Sequence, residues 1–334
     1  MPSGLSKWIV DLPADATPGE WALHSIKLRL GAVRYCLPRA AKDAARDTEY
    51  MHQLRVATRR DTAVLKVYGE LLPDRQTRKM RKLLAAVRRA AGHARDLDVM
   101  LLRHGHSQQG KGAPRFLRQI HRRRDMAQLE LAAVRDALRS AGGLKRQFDE
   151  YADLVRQRIR RTADSTGSFS TWAAERLQHL LQEFLAAVPD SSSSEADLHE
   201  FRIRGKQLRY AMELLSAVFS SAFRDELYPR LEDLLEQLGI VHDHAVAIEY
   251  FRNWLQTTRG GPLRKHLQLL IERETSDLQE SLSRFRHSWN AGSFRDLSAA
   301  FDAILTRSES GRVPGPGSAT DRDQLLTGIR RIPD

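Results

Sequence analysis

Cysteine is nearly absent. Cys36 stands alone in 334 residues, so no disulfide can form within the chain, and a reducing compartment is the expectation. No apolar run approaches the ~20 residues that a membrane-spanning helix needs. Met1 to Pro18 carries no stretch suited to a signal peptide, and a cytoplasmic location is therefore expected. Aromatic residues make up only 7% of the chain, and the basic stretches lack interleaved rings on which single-stranded bases could stack. Period-two alternation is missing, which argues against a sheet. There is no glycine-rich phosphate loop, no serine elbow and no pairing of Cys36 with a histidine. No catalytic residue is expected, and the chain reads as a binding protein rather than an enzyme. Lysine is scarce as well, with ten among 54 Lys and Arg.

What is abundant is arginine. Against 42 Asp and Glu, the basic residues leave a formal net charge of +12. That excess points to anionic partners: nucleic acid, an anionic membrane or polyphosphate. The guanidinium fork matches phosphate oxygens in pairs, whereas a lysine acts as a point charge. With 41% hydrophobic and 29% charged residues, the composition is that of a globular protein with a sizeable core.

Helical patterning runs from Gly19 to Thr306, punctuated by breakers. Helices are predicted over 20–47, with a bend at Pro38; 50–72, stopped by Pro73; 74–91, ended by Gly92; a short 96–104; 114–141; and 144–163. The second half is predicted to follow with 171–188, 196–219, 223–238, 243–257 and 262–288. Residues 106–113 and 189–194 read as loops, and the Ser/Gly/Thr connector 165–170 as the domain boundary. The expected organisation is an N-terminal segment (1–18), a first helical bundle (19–164), a second (165–306) and a disordered tail (307–334).

The two halves match at a fixed offset. His52-Gln-Leu-Arg55-Val-Ala-Thr-Arg59 resembles His199-Glu-Phe-Arg202-Ile-Arg-Gly-Lys206, which lies 147 positions later, and Gly92/Gly239 and Asp96/Asp243 share that offset. A single offset at separate landmarks implies an internal duplication. Two like helical units are expected to pack about a pseudo-twofold axis. At ~100° per residue, His52, Arg55 and Arg59 share one helix face. His199, Arg202 and Lys206 do the same, and Arg209 extends their stripe. Like charges so placed repel by a few tenths of a kcal/mol per pair, and neither stripe contains a carboxylate to relieve them. Their recurrence implies a demand for an anion.

These repeated elements resemble the CHAD domain (conserved histidine α-helical domain) family. So do Leu83…Gly92-His-Ala-Arg95-Asp96-Leu-Asp98-Val99 and its echo Leu238-Gly239-Ile-Val-His242-Asp243. The resemblance spans roughly 19–306. It implies an all-α fold of two pseudo-twofold-related bundles around a central basic groove that binds inorganic polyphosphate, and it implies association with polyphosphate granules. Some relatives carry a fused triphosphate-processing domain. No Glu-x-Glu-x-Lys signature of one occurs here, so binding is carried over and hydrolysis is not. Matching the motif residue by residue assigns polyphosphate contact to His52, Arg55, Arg59, Arg60, His199, Arg202, Lys206 and Arg209. The chain departs from the family pattern at Asp61-Thr62, where Leu-Arg is usual, at Gln207, and at Gly205 in mid-helix.

Outer contacts are expected from Lys79, Lys82, Arg88, Arg89, Arg115, Arg118, Arg122 and Arg123, each of which also suits a solvated surface. Asp96 and Asp243 read as helix caps. His104/His106 and His242/His244 are two apart, which sends the rings to opposite sides of a helix, so neither a metal site nor a cofactor is expected. Protein partners are not legible. The alternatives kept open are nucleic-acid binding and a metal-dependent phosphohydrolase working through His52 or His199.

Overall fold

The computed structural model describes residues 3–12, 16–43, 49–105, 110–162, 167–189 and 194–309. The fold is all-α, with no strand among those residues. The helices are α1 (Pro18–Asp43), α2 (Glu49–Val67), α3 (Asp74–His104), α4 (Ala113–Ser140), α5 (Gly143–Thr162), α6 (Phe169–Leu185), α7 (Glu195–Leu215), α8 (Tyr228–Gln256), α9 (Gly261–Ser288) and α10 (Ala291–Glu309). None is long and apolar enough to cross a membrane.

Each helix turns an apolar stripe inward. On α2 the stripe is Met51, Leu54, Ala57, Val64 and Leu65, all buried, at the i, i+3, i+7 spacing of one face. The polar stripe of His52, Arg55 and Arg59 lies beside it. One apolar cluster extends from Ile9 to Leu305, so the two predicted bundles share a core. Across it, Trp21 of α1 stacks on Phe169 of α6 at 4.6 Å.

Two predicted helix breaks do not occur. Helix α3 runs through Gly92 and α8 runs through Gly239 without interruption, because a glycine inside a helix costs only about 1 kcal/mol and the packed faces outweigh it. The short fourth helix is the last part of α3. Asp96 and Asp243 are therefore mid-helix residues, not caps. Gly92 has a packing reason instead: a Cβ there would lie 2.9 Å from the Arg55 guanidinium. Gly205 answers to a similar demand, since a Cβ would meet Leu235 at 2.7 Å where α7 crosses α8.

Other bounds differ in detail. Helix α1 continues through Pro38. Helix α2 gives way after Val67 to a 3₁₀ turn at Gly69–Leu71. Helix α10 has no counterpart among the predicted helices, and it carries helical structure as far as Glu309, into the predicted tail. Residues 106–109, 163–166, 190–193 and 310–334, which hold parts of the predicted loops, the connector and the tail, lie outside the described residues.

The N-terminal segment is built in. Arg29, 1% exposed, donates to the carbonyls of Gly4, Ser6 and Lys7. Arg60 donates to Leu5. Lys7 pairs with Glu232 of α8 at 3.1 Å, and Trp8 packs edge-on against Tyr228. The segment thereby bridges α1 and α2 to α8.

Candidate functional site

Helices α2 and α7 pack against each other, and α3 and α8 flank them. This brings the two cationic stripes to neighbouring walls. A cleft of about 240 Å³ is lined by His52, Arg55 and Arg59 from α2 and by Arg202 from α7. Helix α3 adds Arg95, Asp96 and Arg103, and α8 adds Asp243. Two larger clefts each share a lining arginine with it. Arg59 also lines one of about 570 Å³, together with Lys66, Arg88 and Lys206. Arg202 also lines one of about 670 Å³, together with His199 and His242. Arg59 and Arg202 are thus the arginines that the central cleft shares with its neighbours.

Carboxylates relieve part of this charge, and they come from neighbouring helices. Arg55 Nη1 lies 3.2 Å from Asp96 Oδ1. The same offset of 147 puts Asp243 near Arg202, whose charge it favours. Asp96 and Asp243 are both exposed and line the same cleft. Arg59, Arg202 and Lys206 make no salt bridge among the described residues, and the buried Nε of Arg202 has no hydrogen-bond partner there.

The electrostatics carry the mark of that imbalance. Burial, then Arg202, Arg59 and Arg209, push the Lys206 amine down to about 6. Burial, then Arg202, Lys206 and His199, push His242 to about 4, its ring 5.3 Å from that of His199. The His52 imidazole is held below its ordinary value by desolvation, with Arg95, Arg59 and Arg55 adding to it against Glu49. The Arg202 guanidinium is lowered to about 10 by burial, with Arg59 among the groups that reinforce the effect. Neighbouring cations that disfavour one another's charge in this way form a site that an anion would relax.

Two of the predicted contact residues sit elsewhere. Arg60 points away from the cleft: its Nε donates to Glu213 at 2.8 Å, and Glu213 is buried. Arg209 lies 4.0 Å from both Glu213 and Glu232 and stacks on Tyr210. Glu213 is thus the counterion for this end of the stripe. Among the outer residues, Arg88 lines the 570 Å³ cleft. Lys79 lies by a separate shallow depression. Lys82, Arg89, Arg115, Arg118 and Arg122 are exposed and line none of the three clefts. Arg123 packs over Trp254 at 4.1 Å and donates to the Tyr250 hydroxyl.

Sequence reasoning missed Arg95, Arg103 and His242. Arg95 and His242 are themselves 147 apart, so the repeat offset was the signal that could have found them. His242 and His244 do point to opposite sides. His244 Nδ1 donates to Glu274 at 2.7 Å. Burial alone would raise the Glu274 carboxyl, but His104, His244 and Arg103 hold it below the usual range. His244, Glu274 and Asp277 have the reach for a metal ion, yet Arg103 already lies 3.0 Å from Glu274. The cluster locks α3, α8 and α9 together behind the cleft.

Comparisons with known proteins agree on one family. Residues 24–252 match the CHAD domain. Among solved structures, the CHAD domain from the plant Ricinus communis is similar, with a TM-score of 0.64 and 21% identity over 88% of this chain and 94% of that one. PptA from Streptomyces chartreusis matches with a TM-score of 0.57 and 20% identity over 82% of this chain and 99% of that one. No curated protein matches. With more than half of its length matched, and with the fold shared, the chain belongs to the CHAD domain family.

Proposed function

We propose that the chain binds inorganic polyphosphate along the three neighbouring clefts, as a receptor and not as a hydrolase. The observation that carries this reading is the convergence of Arg55, Arg59 and Arg202, from helices 147 residues apart in register, on one cleft. A linear phosphate chain is a dense line of negative charge, and each ion pair it makes releases condensed counterions. Many moderate Arg and Lys contacts along a path suit such a ligand. The repeated Arg55–Asp96 and Arg202–Asp243 arrangement supports an origin by duplication, with both halves sharing one basic groove. Family membership and the likeness to PptA support the same reading. A cytoplasmic role, with targeting to polyphosphate granules, follows from this proposal.

The test is a competition titration of the purified chain with long-chain polyphosphate, single-stranded DNA and duplex DNA at matched phosphate and salt. Polyphosphate is expected to win. Equal or tighter binding of DNA makes this a nucleic-acid-binding protein. Incubation with polyphosphate and Mg²⁺ is expected to release no phosphate, and release that is lost in His52→Ala would make it an enzyme.

A further inference from the structure

The largest of the three clefts offers more than a bare phosphate chain can use. At about 670 Å³ it falls within the range of small-molecule sites. It opens between the start of α7 and one face of α8 and α9. At one side stand His199, Arg202 and His242. Its floor is apolar: Val241, Ile248 and Leu278 form a small cluster of their own, apart from the main core, with Leu282 packed on it. Its walls carry the neutral hydrogen-bonding groups Asn253 and Gln256 from α8 and Thr275 and Gln279 from α9, together with one further cation, Arg252. The Thr275 hydroxyl donates to the Ile271 carbonyl, which leaves its oxygen able to accept. Glu249 stands at the rim.

An apolar floor offers nothing to a phosphate oxygen, so a phosphate chain engages this cleft only along the side that carries His199, Arg202 and His242. A planar group with apolar faces and hydrogen-bonding edges suits the floor and the amides, and sugar hydroxyls suit Glu249 as donors. Arg202 lines this cleft and the central cationic one alike, so a ligand that joins such a group to phosphates would occupy both. We propose that this cleft takes the nucleoside of a nucleoside 5′-oligophosphate, its phosphates resting on Arg202 and His242. The inference rests on the phosphate-binding reading of Arg202.

The experiment compares adenosine 5′-triphosphate with inorganic tripolyphosphate on the full chain, by calorimetry in EDTA at one ionic strength. Both have three phosphates, and the inorganic chain carries at least as much charge. The triphosphate nucleotide is expected to bind about tenfold more tightly. Ala245→Trp, which fills the cleft from a half-buried lining position, is expected to erase that advantage and leave tripolyphosphate binding in place. Gln279→Ala, an exposed change that does not threaten folding, is expected to reduce the advantage several-fold. Equal affinity for the two ligands, or an advantage that survives both variants, overturns the nucleoside site while leaving the phosphate reading intact. Failure of both ligands to bind, or binding indifferent to Arg202→Ala, overturns the phosphate reading and the nucleoside site with it.

Discussion

Arg55 reaches Asp96 at 3.2 Å by crossing the notch that Gly92 leaves in α3. A Cβ at Gly92 would lie 2.9 Å from its guanidinium, so the glycine is what lets this cation lie flat on the neighbouring helix. Gly92→Ala therefore has opposed effects. Helix propensity adds roughly 0.5–1 kcal/mol of stability, while the displaced Arg55 weakens polyphosphate binding several-fold. Urea denaturation and a binding titration on the same variant check the two signs together.

On the proposed reading, Asp96 and Asp243 compete with a bound anion for the cations of the cleft they line. Burial raises the Asp96 carboxyl, and Asp243 adds to that against Arg55 and Arg59. Asp96→Asn and Asp243→Asn should each tighten polyphosphate binding two- to fivefold at low salt. The Arg55–Asp96 pair is half exposed and contributes at most about 1 kcal/mol, so stability should hardly change. Looser binding in either variant would mean that the carboxylates position the arginines rather than oppose the ligand.

Lys206 gives the clearest dependence on pH. Its amine sits at about 6 in the folded chain, against 10.5 for an ordinary lysine. Between those values the unfolded chain binds one more proton, so the ligand-free protein gains stability as pH rises through that window. A bound polyanion favours the charged amine, so binding takes up a proton there, and affinity falls as pH rises above about 6. Lys206→Met should stabilise the free protein by on the order of 1 kcal/mol, weaken binding and flatten both profiles. Thermal melts from pH 5.5 to 9, with and without polyphosphate, read all three.

Glu213 sets Arg60 apart from the cations that line the cleft. It is 2% exposed and accepts from Arg60 at 2.8 Å and from the Tyr228 hydroxyl at 2.8 Å. Glu213→Gln leaves Arg60, 12% exposed, without its counterion, which should cost up to roughly 3 kcal/mol in urea denaturation. Arg60→Ala should destabilise the chain while changing polyphosphate affinity less than Arg59→Ala does.

The helices themselves were legible because the apolar stripes recur at helical spacing, and the repeat offset located both cationic stripes. Helix ends were not. Gly92 and Gly239 read as terminators because local propensity favours that, and only the packing of α3 and α8 overrides it. That one misreading also hid Asp96, Asp243, Arg95 and His242, which face the cleft only if the helix continues. Arg60 and Arg59 are adjacent in sequence and alike in chemistry. What separates them is Glu213, 153 residues away, and no local pattern reports such a pairing. The N-terminal segment carries little periodicity, so its tie to α1, α2 and α8 through Arg29, Arg60 and Lys7 could not be read in advance.

The most direct measurement is polyphosphate affinity as a function of salt for two double variants with equal loss of charge. Arg59→Ala with Arg202→Ala removes the two cations that the clefts share, whereas Arg118→Ala with Arg122→Ala removes two exposed on α4. The first pair should lose at least a hundredfold in affinity at physiological salt, with a salt slope shallower by about two ions, and the second should stay within about twofold of the parent chain. Equal losses in the two pairs would contradict the account, because total charge and not the converging stripes would then govern binding.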